Sequence, residues 1–138
     1  MIMIKLYGNA DCLSCRKAKR WLREKDLVFL EREVEKDPFT KDELREIVSA
    51  TEEGLMEIIA TNSNVYKELR GEIESLALDK CVSILAEYPQ LIKKPLIIDK
   101  KHLVIGFKEE ELAVFIPQEV RKFISKDVYL KQWPLYTD

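Results

Sequence analysis

The sequence has few of the residues that mark several large classes of protein. It contains four glycines, five prolines, three cysteines and one histidine among 138 residues, and it has no repeated or biased segment. No apolar run reaches the roughly 18 residues that a membrane span needs, and the apolar stretch 1–7 lacks the charged leader and cleavage site of a signal peptide. With 46% hydrophobic and 35% charged residues, the chain is predicted to form one globular domain, 1–138, in the cytoplasm.

The sequence also lacks an overall basic excess, because its net charge is −2. The charges are unevenly distributed: residues 1–25 contain seven Lys/Arg and two Asp/Glu, whereas residues 26–79 contain six and fifteen. These counts correspond to net charges of +5 and −9. Residues 80–138 contain ten basic and eight acidic residues. A protein that binds DNA on its own presents a strongly basic face to the phosphates, so autonomous DNA binding is not expected.

Two of the three cysteines, Cys12 and Cys15, lie where an apolar run ends and a basic amphipathic run begins. This order predicts a strand, a turn and a helix that starts near Leu13. A thiol at the first turn of a helix is stabilised as thiolate by unpaired backbone N–H groups and by the helix dipole. Two thiols at this separation can close a disulfide ring, so the pair indicates reversible thiol–disulfide exchange. In a reducing cytosol such a pair is more often catalytic or regulatory than structural.

Two other interpretations of the cysteine pair stay open. A Cys-x-x-Cys motif can be half of a zinc site, but the remaining ligands would have to be Cys81 and His102, which are widely separated in sequence. Both thiols can instead be inert core residues, because free cysteine packs like a small hydrophobe. Basic residues that follow the pair argue against an inert Cys12. These residues are Arg16, Lys17, Lys19 and Arg20.

The rest of the chain alternates between strand and helix patterns. Strands are predicted over 1–7, 28–34, 96–98 and 102–106, and helices over 13–25, after 40, within 55–88 and over 108–116. Thr40 and Glu43 form a capping-box pattern before the second helix. Gly71 is expected to separate two helices, and His102 is expected to have a structural role.

Helical spacing of apolar residues predicts which side chains are buried. In the first helix these are Cys15, Ala18, Trp21 and Leu22. In the helix that ends before Pro89 they are Leu78, Cys81, Val82 and Leu85. Cys81 is therefore predicted to belong to the core.

Four sequence blocks carry a resemblance to a known family. They are CLSCRKA at 12–18, TEEG at 51–54, EII at 57–59 and KPLIID at 94–99. In this order and spacing they resemble the arsenate reductase-like family, in particular its Spx-type regulators. The resemblance implies an α/β thioredoxin-like fold of β-α-β, a helical insertion at about 40–88 and β-β-α, followed by a C-terminal tail at about 117–138.

The resemblance also implies a function. Spx-type proteins regulate transcription in bacteria by binding the C-terminal domain of the RNA polymerase α subunit, they reach DNA only through the polymerase complex, and a disulfide tunes their activity. The corresponding redox pair here is Cys12 and Cys15, and no cofactor is expected. Gly54 matches the glycine at the polymerase contact, where a bare backbone allows close approach. The alternative interpretation is that Gly54 caps a helix in the αL conformation.

Three further residues are assigned by the resemblance. The Lys94–Pro95 peptide bond is expected to be cis, with the proline facing the cysteine pair. Lys94 replaces the usual arginine of the family and is expected near Cys12. Together with Arg16 it is a candidate for binding an anion or for coupling to the redox state of the pair.

A thiol-dependent enzyme is the competing function. Glutaredoxin-linked arsenate reductases share the fold, the first cysteine and an arginine shortly after it. Such an enzyme needs several arginines around a tetrahedral oxyanion, and lysine does not offer the same forked geometry. In this sequence only Arg16 is clearly in place, and Cys15 favours an internal disulfide over release by an external thiol. A general thiol–disulfide oxidoreductase is part of the same alternative.

Overall fold

The computed structural model describes residues 3–75 and 77–117. The strands are β1 (Ile4–Gly8), β2 (Phe29–Glu33), β3 (Leu96–Ile98) and β4 (Leu103–Ile105), and the helices are α1 (Leu13–Glu24), α2 (Lys41–Ser49), α3 (Asn64–Ser75), α4 (Leu78–Glu87) and α5 (Glu109–Leu112). Short 3₁₀ turns lie at Leu55–Ile58, Pro89–Leu91 and Ala113–Phe115. This succession is the predicted β-α-β, helices, β-β-α, and it confirms the α/β thioredoxin-like class. The predicted C-terminal tail lies beyond the described residues after position 117.

The four strands form one mixed sheet in the order β2-β1-β3-β4. β1 is parallel to β2 and antiparallel to β3, while β3 and β4 form an antiparallel hairpin. In the central strand Leu6 is paired with Glu31 on one side and with Ile97 on the other. Because β1 and β2 are parallel, α1 is the crossover between them, and the carboxyl end of β1 leads directly to the start of α1.

The core consists of two clusters of buried side chains, one on each face of the sheet. Alternation along β1 sends Ile4 and Leu6 to one cluster and Tyr7 to the other. The first cluster includes Ala18, Trp21 and Leu22 of α1, together with Leu112 and Phe115. The second cluster includes Leu44, Ile47, Val82, Leu85 and Leu96. The inward face of α1 is the predicted one, because Cys15, Ala18, Trp21 and Leu22 are its buried residues.

The predicted capping box begins α2. Thr40 Oγ1 accepts the Glu43 N–H at 3.1 Å, and Glu43 Oε1 accepts the Thr40 N–H at 2.8 Å. Arg32 of β2 donates to the other Glu43 oxygen and to the carbonyl oxygens of Asp37 and Pro38. The Arg32 hydrogen bond holds the pKa of Glu43 below its usual range. One guanidinium therefore joins the end of β2, its connection to α2 and the α2 N-terminus.

Several predicted boundaries are wrong. Gly71 lies inside α3, because one glycine costs a helix only about 1 kcal/mol, and the break between helices falls between Ser75 and Leu78. Leu78 was predicted to be buried but is 52% exposed, because it is the first residue of α4 and lies outside the buried part of that helix. The last helix keeps α-helical geometry only to Leu112 and continues as a 3₁₀ turn. None of the helices within 3–75 and 77–117 has the length and apolarity needed to cross a membrane.

Candidate redox site

The two predicted redox residues are joined where β1 leads into α1. Cys12 is the N-cap of α1, with extended backbone angles (φ −87°, ψ 116°), and its Sγ accepts the backbone N–H of Cys15 at 3.2 Å. The two sulfurs form a disulfide, with Cα atoms 5.2 Å apart. Cys15 is only 1% exposed, whereas Cys12 is half-buried at the surface. The same N–H and the positive end of the helix dipole would stabilise a Cys12 thiolate in the reduced protein.

Gly8 is a site residue that sequence reasoning missed. A Cβ at this position would lie 2.5 Å from the Cys15 sulfur and 3.1 Å from the Cys15 Cβ. Real side chains do not approach so closely, so the end of β1 has room for the buried cysteine only because residue 8 has no side chain. The signal in the sequence was a glycine at the end of the predicted strand, four residues before the first cysteine.

Two carboxylates from the end of β2 hold the loop that precedes Cys12. Glu35 Oε1 accepts from Asn9 Nδ2 at 3.1 Å, and Glu33 Oε1 accepts the Ala10 N–H at 3.4 Å. Within the loop, the Cys12 N–H donates to the Asn9 carbonyl at 3.3 Å. Parallel pairing brings the carboxyl ends of β1 and β2 to the same edge of the sheet, which is why these acidic residues meet the loop. The contacts of Glu33 and Glu35 with this loop were not predicted from the sequence.

Lys94 precedes β3 and is half-buried. The Lys94–Pro95 peptide bond is cis, in agreement with the expectation. The Lys94 ammonium donates to the Pro89 carbonyl at 3.1 Å. Burial lowers the pKa of Lys94, and the nearby carboxylates of Glu35 and Asp11 partly oppose this effect. Lys94 therefore lies within electrostatic range of the residue that directly precedes Cys12 and of the carboxylate that holds its loop.

Arg16, the other cation assigned to the pair, lies in the first turns of α1. Its side chain is exposed. Within the described part of the chain it forms no ion pair, in contrast to Arg32 and its carboxylate partner. The role of Arg16 in binding an anion or in coupling to the redox state stays a prediction.

Gly54 begins the 3₁₀ turn Leu55–Ile58. Its backbone angles, φ 102° and ψ −159°, belong to a region that is essentially restricted to glycine. The αL helix-cap interpretation is wrong, because α2 ends at Ser49 and its C-cap is Ala50 in the αR conformation. Apart from its two chain neighbours, no residue that the structure describes has an atom within 4 Å of the position that a Gly54 Cβ would occupy. Gly54 thus presents an open stretch of backbone that is anchored by its N–H to Thr51 Oγ1 at 2.9 Å.

Cys81 and His102 lie apart from the pair. Cys81 is 3% exposed in the core, donates its thiol to the Ile73 carbonyl at 3.2 Å and has a pKa raised by burial. His102 pairs with Asp99, with Nδ1 3.3 Å from a carboxylate oxygen, in the β3–β4 turn. Among residues 3–75 and 77–117, no group of three or more His, Cys, Asp or Glu side chains is arranged to hold a metal ion.

Comparison with known proteins decides the family. Residues 7–115 match the model of the ArsC family. The chain belongs to the ArsC family. It is 42% identical to Global transcriptional regulator Spx 1 of Bacillus cereus, with 88% of this chain and 92% of the relative covered. It is 40% identical, over the same shares, to Global transcriptional regulator Spx of Bacillus subtilis (strain 168). These relatives confirm the resemblance, and within the ArsC family the chain is of the Spx type.

Solved structures agree with this assignment. A protein from Bacteroides fragilis related to the ArsC family has a TM-score of 0.73 and 26% identity, covering 81% of this chain and 96% of that one. A protein from Streptococcus mutans UA159 described as a possible arsenate reductase has a TM-score of 0.66 and 26% identity, covering 78% and 93%. The fold is therefore shared with a solved protein related to the ArsC family and with one described as a possible arsenate reductase.

Proposed function

We propose that this chain is a cytoplasmic, redox-sensitive transcription regulator that binds the C-terminal domain of the RNA polymerase α subunit. The observation that carries the proposal is the Cys12–Cys15 disulfide at the N-terminus of α1. It occurs in a chain about 40% identical to proteins named global transcriptional regulators. The chain reaches DNA through the polymerase, which is consistent with its net charge of −2.

The switch is an exchange between a dithiol and a disulfide. A disulfide-type oxidant takes two electrons from the pair, each thiol loses its proton, and one S–S bond forms between Cys12 and Cys15 while the oxidant is reduced to its two thiols. Cys12 reacts first, because it is the more exposed sulfur and its thiolate is stabilised by the N–H of Cys15. Cys15 is buried and resolves the mixed disulfide.

Charged groups near Cys12 couple the thiol–disulfide exchange to the rest of the site. Reduction allows a thiolate to exist at Cys12, whereas oxidation removes it. Lys94 is a desolvated cation close to Asp11, and a desolvated charge interacts more strongly with a nearby charge than a solvated one does. We infer that both cations respond to the redox state of the cysteine pair. Lys94 acts from its position before β3, and Arg16 acts from the surface of α1.

The polymerase contact is assigned to the loop around Gly54. Among the described residues, none but its chain neighbours lies within 4 Å of where its Cβ would project, so a partner can approach its backbone closely. Met56, two residues later, is 44% exposed and offers an apolar side chain beside it. This combination of bare backbone and exposed methionine suits a protein partner better than a nucleic acid.

Binding titrations test the proposal. Purified chain in its reduced and oxidised forms is titrated with the isolated α C-terminal domain and followed by calorimetry, with Cys15→Ser as a variant that cannot form the disulfide. We expect saturable binding by wild type, and transcription that depends on redox state in wild type but not in Cys15→Ser. The absence of α-domain binding by both redox forms would contradict the proposal.

A thiol-dependent reductase is the second candidate, favoured by the fold shared with the Streptococcus mutans protein and by the position of Cys12 at a helix N-terminus. An arsenate-reduction assay with glutaredoxin, run on the same samples, separates the two. Turnover that is lost in Cys12→Ser, together with no binding of the α domain, would establish the reductase instead.

A further inference from the structure

We infer that the exposed face of α1 is a contact surface for the phosphate backbone of DNA. The inference rests on the proposed function, because promoter DNA is the dense polyanion next to which a polymerase-bound regulator is held. The α1 face is a second contact surface, separate from the Gly54 loop. Its partner is DNA, whereas the partner proposed for the Gly54 loop is a protein.

Three arginines define this face. Arg16, Arg20 and Arg23 follow one another at spacings of four and three residues, so they lie on the same side of α1. All three are exposed. With Lys19 and Glu24 they line a shallow depression of about 450 Å³. The α1 face is therefore a continuous basic strip, in which Glu24 at the C-terminal end is the acidic member.

No carboxylate of the described residues neutralises the three arginines of this strip, although the Arg23 guanidinium lies over the Phe29 ring, 5.6 Å from its centroid. The described arginines outside α1 are each paired with a carboxylate, as the contacts of Arg32 with Glu43, Arg45 with Asp79 and Arg70 with Glu74 show. Within residues 3–75 and 77–117, no ion pair involves the three arginines of the strip. Lys19 differs from them, because it pairs with Glu31 at 2.6 Å.

The uneven distribution of charge favours the approach of a phosphate backbone from the α1 side. Residues 1–25 carry a net +5 and residues 26–79 a net −9, so the field of the protein attracts a polyanion to α1 and repels it from the helical insertion. Arginine suits this role, because its planar guanidinium forms two parallel hydrogen bonds to one phosphate and stays charged at all physiological pH values.

The number of arginines sets the expected strength. Three phosphate contacts correspond to a slope of about −2.7 in a plot of log affinity against log salt concentration. Raising the salt about fourfold should then weaken binding roughly 40-fold. At physiological salt such contacts are weak without a tethering partner, so the strip adds to the affinity of a complex that the polymerase already holds, whereas at low salt the chain alone should bind a duplex measurably.

Fluorescence anisotropy with a labelled duplex of about 20 base pairs, between about 50 and 200 mM KCl, measures this slope on the full chain. The test variant is Arg16→Gln/Arg20→Gln. The control is Lys67→Gln/Lys80→Gln, which removes the same charge from exposed positions on α3 and α4. We expect a slope of about −2.7 for wild type and for the control, and of about −0.9 for the test variant. Thermal melts check that both variants are folded.

Three results of the duplex titration would overturn the inference. They are no duplex binding by wild type at the lowest salt, the same slope in the test variant as in wild type, and an equal loss in test and control variants. Binding of an acidic polyglutamate peptide as tight as that of the duplex would assign the strip to an acidic protein and equally reject DNA. Titration with the α C-terminal domain, run separately on each variant, reports the proposed function by itself. A failure to bind the α domain would not affect the interpretation of the duplex titration. A failure to bind the duplex would likewise not affect the interpretation of the α-domain titration.

Discussion

Gly8 and Cys15 approach so closely that a Cβ on the glycine would lie 2.5 Å from the cysteine sulfur. The sulfur cannot move away while it is bonded to Cys12, because the disulfide fixes both ends of the short ring. The last residue of the central strand and the buried half of the redox pair therefore constrain each other. The size of residue 8 is part of the redox site.

The first prediction concerns Gly8→Ala. Overpacking of this kind costs about 1–3 kcal/mol, so the oxidised variant should unfold at a lower denaturant concentration than wild type. The loss should be smaller in the reduced protein, where the Cys15 side chain is no longer tethered. Equilibrium denaturation of both redox forms measures the two values. Gly71→Ala is the matched control: it lies within α3, and a Cβ there would have no described atom within 4 Å beyond its own helix backbone and chain neighbours, so we expect it to be neutral or stabilising by up to about 1 kcal/mol. Equal stability of Gly8→Ala and wild type in the oxidised form would contradict the packing argument.

The second prediction concerns thiol reactivity in the reduced protein. Cys12 should react with iodoacetamide faster than Cys15 or Cys81 at neutral pH, because it is the most exposed of the three and accepts a backbone N–H at the start of α1. Burial raises the pKa of Cys81, so it should be the slowest. Mass spectrometry of timed samples gives the three rates. In concentrated urea the rates should converge, and similar rates for Cys12 and Cys81 in the folded protein would remove the case for an activated thiol.

The third prediction uses the lowered pKa of Lys94. The unfolded chain holds this proton more tightly than the folded chain, so the free energy of unfolding should rise with pH between the lowered pKa and the ordinary value of 10.5. Below that interval the ammonium is charged in both states, and its burial is fully unfavourable. Lys94→Met should lack this rise. Tyr7 and Cys81, whose pKa values are raised, act in the opposite direction in both proteins.

Denaturant titrations of wild type and Lys94→Met at successive pH values above about 7 measure the effect as a difference. The contributions of Tyr7 and Cys81 cancel in that difference, which should increase with pH. A difference that stays constant would mean that burial does not perturb Lys94.

The fourth prediction separates strain from contact at Gly54. Gly54→Ala and Gly54→Arg both place a side chain at a φ of 102°, so each should lose about 1–3 kcal/mol of stability. Only arginine places a long side chain in the open space in front of the loop. Affinity for the polymerase α domain should therefore drop at least ~10-fold, about 1.4 kcal/mol, in Gly54→Arg, and much less in Gly54→Ala. Thermal melts beside binding titrations distinguish the two effects. Equal affinities would place the polymerase contact elsewhere on the protein.

The order of elements and the inward face of α1 could be predicted because both depend on local patterns. The spacing of Cys15, Ala18, Trp21 and Leu22 already defines one side of a helix, and the Thr40–Glu43 pair is a local capping signal. The helix break predicted at Gly71 was wrong, because the low helix propensity of one glycine is weak compared with the support that a helix receives from its neighbours.

The partners of the redox loop could not be predicted, because they come from elsewhere in the chain. Glu33 and Glu35 meet the loop only through the pairing of β1 with β2. The packing of Gly8 on Cys15 depends on how α1 lies across the sheet. Such contacts are set by tertiary geometry, to which a single sequence gives no direct access.

The place of β1 in the middle of the sheet has a consequence for how the chain folds. Lys5 pairs with Leu30 on one side and with Ile98 on the other, and the second partner is about 90 residues away in sequence. Contacts between residues so far apart in sequence form slowly, because the intervening chain loses conformational entropy before the strand pairing stabilises it. A fragment that ends before β3 would keep the whole Cys-x-x-Cys segment but expose the unpaired edge of its middle strand. Such a fragment should self-associate through that edge, so truncated forms are expected to aggregate before they can be oxidised correctly.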